Sequence, residues 1–227
     1  MKYIVQYGAM RQLGVFSHVD QVFRHGHRVI VRTPRGQEVG VVRCEADQQI
    51  IAKLRKGFIE DQILRLMTEA DEAEYQRLQQ RDKSSLPHAK RIIQEMKIAM
   101  DLVRIEHVFG GGRIVFYYTA EERVDFRELV KMLTAEFHTR VEMRQISSRD
   151  AIKLLHCFGD CGRELCCSTF LHETPTITIK MAKIQLVTLD PSKISGHCGR
   201  LKCCLRYEYD SYAKKQSDKS AKTEPVS

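Results

Sequence analysis

No stretch of this 227-residue chain approaches the roughly 20 consecutive apolar residues of a bilayer-spanning helix. Its first residues, Met1-Lys2-Tyr3-Ile4-Val5-Gln6-Tyr7, alternate like a strand. They lack the apolar region and small-residue cleavage site of a secretory signal, so the expectation is a cytoplasmic protein. Aromatic residues make up only 7% of the chain. Few of them interleave with the N-terminal cations, which argues against a platform for stacking single-stranded bases. No Cys-x-x-Cys pair occurs, so a dithiol oxidoreductase built on Cys157 or Cys161 ranks lowest among the functional classes. Gly110-Gly111-Gly112 is not followed by the Lys-Ser/Thr of a phosphate-binding loop, and reads as a hairpin turn.

What the chain does have is positive charge and clustered thiols. The net charge is +8. Between residues 1 and 43, Lys2, Arg11, Arg24, Arg28, Arg32, Arg35 and Arg43 face only Asp20 and Glu38. A basic face of this kind is either a solvated surface or a site for nucleic-acid phosphates, with Arg28, Arg32 and Arg35 the candidate contacts. Six of the eight cysteines fall in two copies of one motif, Gly-x-Cys-Gly-Arg-x-x-Cys-Cys. The first copy starts at Gly159 and the second at Gly196, an offset of 37 residues.

Thiolates bind soft metals, and nearby cations favour deprotonation. Cys161, Cys166, Cys167, Cys198, Cys203 and Cys204 are therefore the candidate metal ligands. Arg163 and Arg200 are the expected source of positive field, and Gly162 and Gly199 the expected hinges of a sharp turn. Two cysteines per copy would supply four thiolates, the complement of a structural zinc or a cubane cluster. Neighbouring residues on a helix point about 100° apart, so each Cys-Cys pair is expected to offer one sulfur to a shared metal. The Cys-x4-Cys-Cys spacing departs from a Cys-x2-Cys zinc knuckle and puts iron–sulfur ahead of zinc. Inert buried thiols with no metal are the remaining reading. Adjacent cysteines bridge only through a strained ring, which weighs against a disulfide framework. Cys44 reads as a core residue, and Cys157 beside His156 as a possible extension of the site.

The pattern along the chain is α+β. Strands are expected at 2–8, 13–17, 27–33 and 38–44, the last two joined at Pro34-Arg35-Gly36-Gln37, giving a small antiparallel β-unit over residues 1–60. Gly14 and Gly40 are read as bulges or bends in it. A polar helical segment follows over 61–100, with a capping box at Thr68-Glu69-Ala70-Asp71. A break and restart is expected at Ser84-Ser85-Leu86-Pro87. Leu86, Ala89, Ile92, Ile93 and Met96 form an apolar stripe at helical spacing, which reads as core or as a helix-pairing seam. Residues 101–215 are expected to form an αβ and cysteine-rich domain. In it lie a hairpin over 101–119, a helix from Asp125, a strand over 140–146, and helices over 149–155, 176–186 and from about 200. The tail from about Ser217, within 216–227, reads as disordered.

Both cysteine motifs, Phe116–Ala120, Arg123–Val130, Arg140–Ile146, Lys180–Lys183 and Lys193–Gly196 together resemble the polymerase-suppressor-protein C-terminal domain family and its bacterial YaaT (RicT) branch. The resemblance covers most of residues 1–212. It implies a non-enzymatic cytoplasmic regulator that joins two small helical partner proteins. It also implies a complex that can carry iron–sulfur clusters of the 4Fe-4S kind and acts on ribonuclease-dependent mRNA maturation and on signalling. Its ligand candidates fall on Cys161, Cys166, Cys167, Cys198, Cys203 and Cys204.

Overall fold

The computed structural model describes residues 1–47, 51, 58–155, 157–171 and 175–221. The chain is an α+β protein of two compact units, Met1–Ile146 and Ser147–Ser227. The first unit opens with β1 (Lys2–Tyr7), β2 (Gln12–Ser17), β3 (Arg28–Thr33) and β4 (Gly36–Glu45), joined by β5 (Glu60–Leu66). These five close into a barrel in the order β1-β2-β5-β3-β4, with β2 and β5 parallel and the other pairs antiparallel. Period-two alternation sends Tyr3, Val5 and Tyr7 of β1 inward, where they meet Phe16, Val29, Val31, Val42 and Ile63.

The expected bulge glycines serve close packing instead. A Cβ at Gly40 would sit 2.5 Å from Val5 Cγ1, and one at Gly14 would sit 2.6 Å from the Phe16 ring. The register irregularity falls between Ile4 and Val5, which pair with Cys44 and Val42. The polar segment expected to be helical from residue 61 begins as β5. In Glu60-Asp-Gln-Ile-Leu-Arg-Leu66 only Ile63 is buried, so no alternating apolar pattern marks the strand that closes the barrel.

Helix α1 (Glu69–Glu95) starts at a complete capping box in which Thr68 and Asp71 satisfy each other's backbone N–H. The expected break at Pro87 is corrected: the helix runs through it for 27 residues. An interior proline costs about 3 kcal/mol. Burying Ile92 and Ile93 beyond it returns about 1.5–3 kcal/mol each, so continuity wins. The stripe is core. Ala89, Ile92 and Ile93 pack with Leu102, Ile105, Ile114 and Phe116 of a sheet, and with Leu129, Leu133 and Phe137 of a second helix.

That sheet has the order β6-β7-β8, from β6 (Asp101–His107), β7 (Ile114–Thr119) and β8 (Val141–Gln145), with β7 and β8 parallel. Helix α2 (Arg127–Phe137) makes the crossover. Asp125 accepts from Arg127 N at 3.1 Å, although the cap position itself is Phe126.

Barrel and sheet are joined through Glu106 on β6. It accepts from the backbone of Ala9 at 2.6 Å, from Arg35 at 3.2 Å, and from the Tyr117 hydroxyl. Arg35 also donates to Glu38 and to the Tyr117 oxygen. Burial alone would lower the Arg35 pKa, but Glu106, Tyr117 and Glu38 outweigh it and hold the guanidinium charged. Burial pushes Glu38 up against the pull of Arg35.

The second unit holds α3 (Ser148–Leu154), α4 (Cys166–Thr169), α5 (Ile179–Ile184), α6 (Pro191–Ile194) and α7 (Cys204–Ala221). Ala182, Ile194 and Leu205 form its apolar cluster among the described residues. The helix expected over 176–186 is confined to α5. Helix α7 extends through residues 217–221, where disorder was expected, and 222–227 lie outside the described residues. No described helix is long and apolar enough to cross a membrane.

Candidate metal and thiol centre

The sequence repeat is a structural repeat. In the first copy Phe158 bridges Glu164, and in the second Ser195 bridges Leu201, 37 residues on. Gly159 N donates to Arg163 O at 2.8 Å, and Gly196 N to Arg200 O at the same distance. Gly162 and Gly199 adopt φ of 74° and 72°, a left-handed turn that glycine takes at no steric cost. A Cβ would meet nothing within 4 Å at either position, so backbone conformation, not space, selects glycine there. Their N–H groups close the turns onto Gly159 O and Gly196 O at 2.9 Å and are not free for a ligand.

Each turn delivers its double cysteine to a helix start. Cys166 and Cys167 open α4, while Cys203 precedes α7 and Cys204 begins it. The two copies, with α3, enclose a cavity of about 150 Å³ lined by Cys161, Cys166, Cys167, Cys198, Cys203 and Cys204. The structure thus brings all six candidate cysteines to one place. Both residues of each Cys-Cys pair line the cavity. The 100° divergence applies inside a helix, and these pairs stand where helices begin.

Contacts link the two copies. Asp160 and His197 occupy the same position in their repeats and pair at 3.2 Å, and Lys202 reaches Asp160 at 2.7 Å. The hydrogen bond from Cys167 pulls the Cys203 thiol down to about 6, with Arg149 and the backbone helping against burial. The same contact, with burial, drives Cys167 well above the usual thiol range. Burial first, then Cys203 and Cys204, pushes Cys166 up to about 11. Burial also raises Cys204.

The positive field comes from α3. Arg149 lines the cavity, donates to Leu201 O at 3.1 Å, and acts on Cys203 and Cys167; Lys153 acts on Cys167. Arg163 and Arg200, expected in that role, are exposed, and neither lines the cavity. Arg149 and Lys153 were legible as cations four residues apart on one helical face leading into the motif.

All eight cysteines are free. Cys44, read as core, is exposed at the end of β4. Cys157 is half-buried and is not a cavity residue. His156 lies outside the described residues.

Six soft sulfurs around one cavity are the donor chemistry of zinc or an iron–sulfur cluster. Among the described residues, however, no group of three or more His, Cys, Asp or Glu side chains is arranged to hold a metal ion. The donors fit such a group in kind.

The candidate nucleic-acid arginines are engaged elsewhere. Arg28 pairs with Glu72 and lies 5.0 Å from the centre of the Tyr75 ring. Arg32 pairs with Asp61 at 2.8 Å, and Arg35 is the buried cation beside Glu38 and Glu106.

Residues 61–146 match the PSP1 C-terminal conserved region, and residues 176–219 match the third domain of PSP1-like proteins. Stage 0 sporulation protein YaaT of Bacillus subtilis (strain 168) is 43% identical over 192 residues, 83% of this chain and 68% of that protein. The chain belongs to the PSP1 family. The first PSP1 match spans β5, α1, α2 and the three-stranded sheet, and the second contains the second cysteine motif. An uncharacterized protein of Schizosaccharomyces pombe is 34% identical over 55 residues, 24% of this PSP1 chain and 7% of that protein. No solved structure matches.

Proposed function

We propose that this chain is a non-enzymatic, cytoplasmic regulatory adaptor of the kind suggested by its relative, the sporulation protein YaaT, and that its cysteine cavity holds an iron–sulfur cluster. The observation that carries the reading is the convergence of both copies of the motif on one cavity. Cys161, Cys166, Cys167, Cys198, Cys203 and Cys204 are the residues that would hold the group, with Arg149 and Lys153 offsetting thiolate charge. When bound, the group supplies a redox-sensitive cross-link between the copies.

The adaptor's partners in this reading are small helical proteins and the ribonuclease machinery of mRNA processing. Direct nucleic-acid binding through the barrel has less support, since Arg28, Arg32 and Arg35 all serve internal ion pairs.

The test is an anaerobic pull-down of the full chain from its own cells, with identification of co-eluting proteins and metal analysis of the eluate. The expected result is a stable set of protein partners together with iron and sulfide. A chain that elutes alone and without metal overturns the reading.

A further inference from the structure

Strand β8 lies at the edge of the three-stranded sheet and, among the described residues, pairs only with β7. Ile114 N donates to Arg140 O and Ile146 N to Tyr118 O, both at 2.9 Å. Successive residues of a strand turn their N–H and C=O groups to its two sides in alternation. The even-numbered residues of β8 therefore serve β7, and Val141, Met143 and Gln145 direct their backbone groups to the open side.

An open edge of this kind invites another strand, and folded proteins blunt such edges with bulges, proline, lysine or a covering element. The opposite edge of this sheet is blunted. The register of β6 shifts between Leu102 and Arg104, and its far end is tied down, with His107 N donating to Asp82 of α1 at 2.9 Å. Strand β8 has none of these devices. Its register against β7 is unbroken from Val141 to Gln145, and Val-Glu-Met-Arg-Gln contains neither proline nor lysine.

The side chains select the strand that fits. Val141 and Met143 pack on the core, so Glu142 and Arg144 share the other face, where both are half-buried. One acid and one base placed symmetrically about Met143 are complementary to themselves. Two β8 strands running antiparallel about a two-fold axis at Met143 set Glu142 of each against Arg144 of the other. Opposed residues on antiparallel strands point to the same face, where unlike charges attract. The same centring sets the outward backbone groups of Val141 against Gln145, and of Met143 against Met143, as hydrogen-bonded pairs. A slip of one residue takes those groups out of phase. A slip of two sets Glu142 against Glu142 or Arg144 against Arg144, which repel. Glu142 is held by Arg113 at 2.8 Å, and Arg144 lies 5.9 Å from the centre of the Tyr117 ring, so both charges are in position before the strands meet.

We propose that the β8 edge is an interface between two copies of this chain, whose antiparallel pairing joins the two three-stranded sheets into one. The contact is isologous. A single short strand from each copy makes it small, so the association is weak and reversible. This dimer lies outside the regulatory reading and does not involve the cysteine centre.

The test is light scattering on the full chain, purified anaerobically, at about 100 µM. Dithiothreitol is present so that no disulfide joins the copies. The expected mass is double the 26.3 kDa of the chain. Arg144→Glu sets carboxylate against carboxylate and is expected to return the mass of a single chain. Glu142→Arg/Arg144→Glu exchanges the charges and is expected to restore the dimer. Gln145→Pro removes an N–H that points away from β7, so it is expected to abolish the dimer and leave the circular dichroism unchanged. Hydrogen exchange on the unmodified chain decides the matter if a variant fails to fold. The amides of Val141, Met143 and Gln145 are expected to gain protection between about 1 µM and about 100 µM. A single-chain mass at the higher concentration, a dimer indifferent to Arg144→Glu and Gln145→Pro, or exchange that does not change with concentration would each overturn the proposal.

Discussion

Truncating Arg35 to alanine removes the cation shared by Glu38 and Glu106, whose side chains are only 4% and 14% exposed. A buried carboxylate left without its partner costs about 3–5 kcal/mol, so Arg35→Ala is expected to lower the urea midpoint of the full chain by a corresponding amount. A loss below about 1 kcal/mol, the range of an exposed surface pair, would show that the network linking barrel and sheet is dispensable. This residue also shows a limit of reading from sequence. Arg35 sits in a hairpin turn among basic residues, and local charge gave it to a nucleic-acid surface. Its partner Glu38 is local, but Glu106 lies 71 positions away, and no local pattern announces a pairing at that range.

At the scale of the element, α1 carries a pH dependence at its first turn. The hydrogen bonds from Arg65 and from Thr68 hold Asp71 well below the ordinary carboxylate value of 3.8, and Arg28 holds Glu72 below 4.5. A carboxylate whose folded value is depressed adds stability above its unfolded value and surrenders it as pH falls toward the folded one. The thermal midpoint is therefore expected to fall from about pH 5 downward, and Asp71→Asn/Glu72→Gln to fall less steeply over the same interval. Both pairs lie beside solvent, so the effect is modest and shrinks with salt. An acid profile unchanged in the double variant would remove these two groups from the account.

The start of α1 was legible because a capping box is written in four consecutive residues. Its continuity through Pro87 was not. The penalty of the proline is local, whereas the gain comes from isoleucines that meet a sheet formed later in the chain. Strand β5 was missed for a related reason: it closes the barrel by pairing with β2 and β3, and its own residues carry little apolar alternation.

At the scale of the molecule, the barrel, helices and sheet gather in the first unit, and the second is organised around thiols. The repeated motif was the clearest signal in the chain, and its glycines, turns and helix starts recur in space as in sequence. Which cations serve it was not legible from the motif alone. Arg163 and Arg200 lie inside the repeat yet do not line the cavity, while Arg149 and Lys153 come from the preceding helix. The central claim is that the two copies make one centre, not two. Iron and acid-labile sulfide, measured per chain in anaerobically purified protein with and without Cys203→Ser, test it most directly. The account gives iron and sulfide in equal amounts in the unmodified chain and loss of both in the variant, because one broken copy opens the shared site. Retention of about half in the variant, as independent sites would give, or absence of both from the unmodified protein, would contradict it.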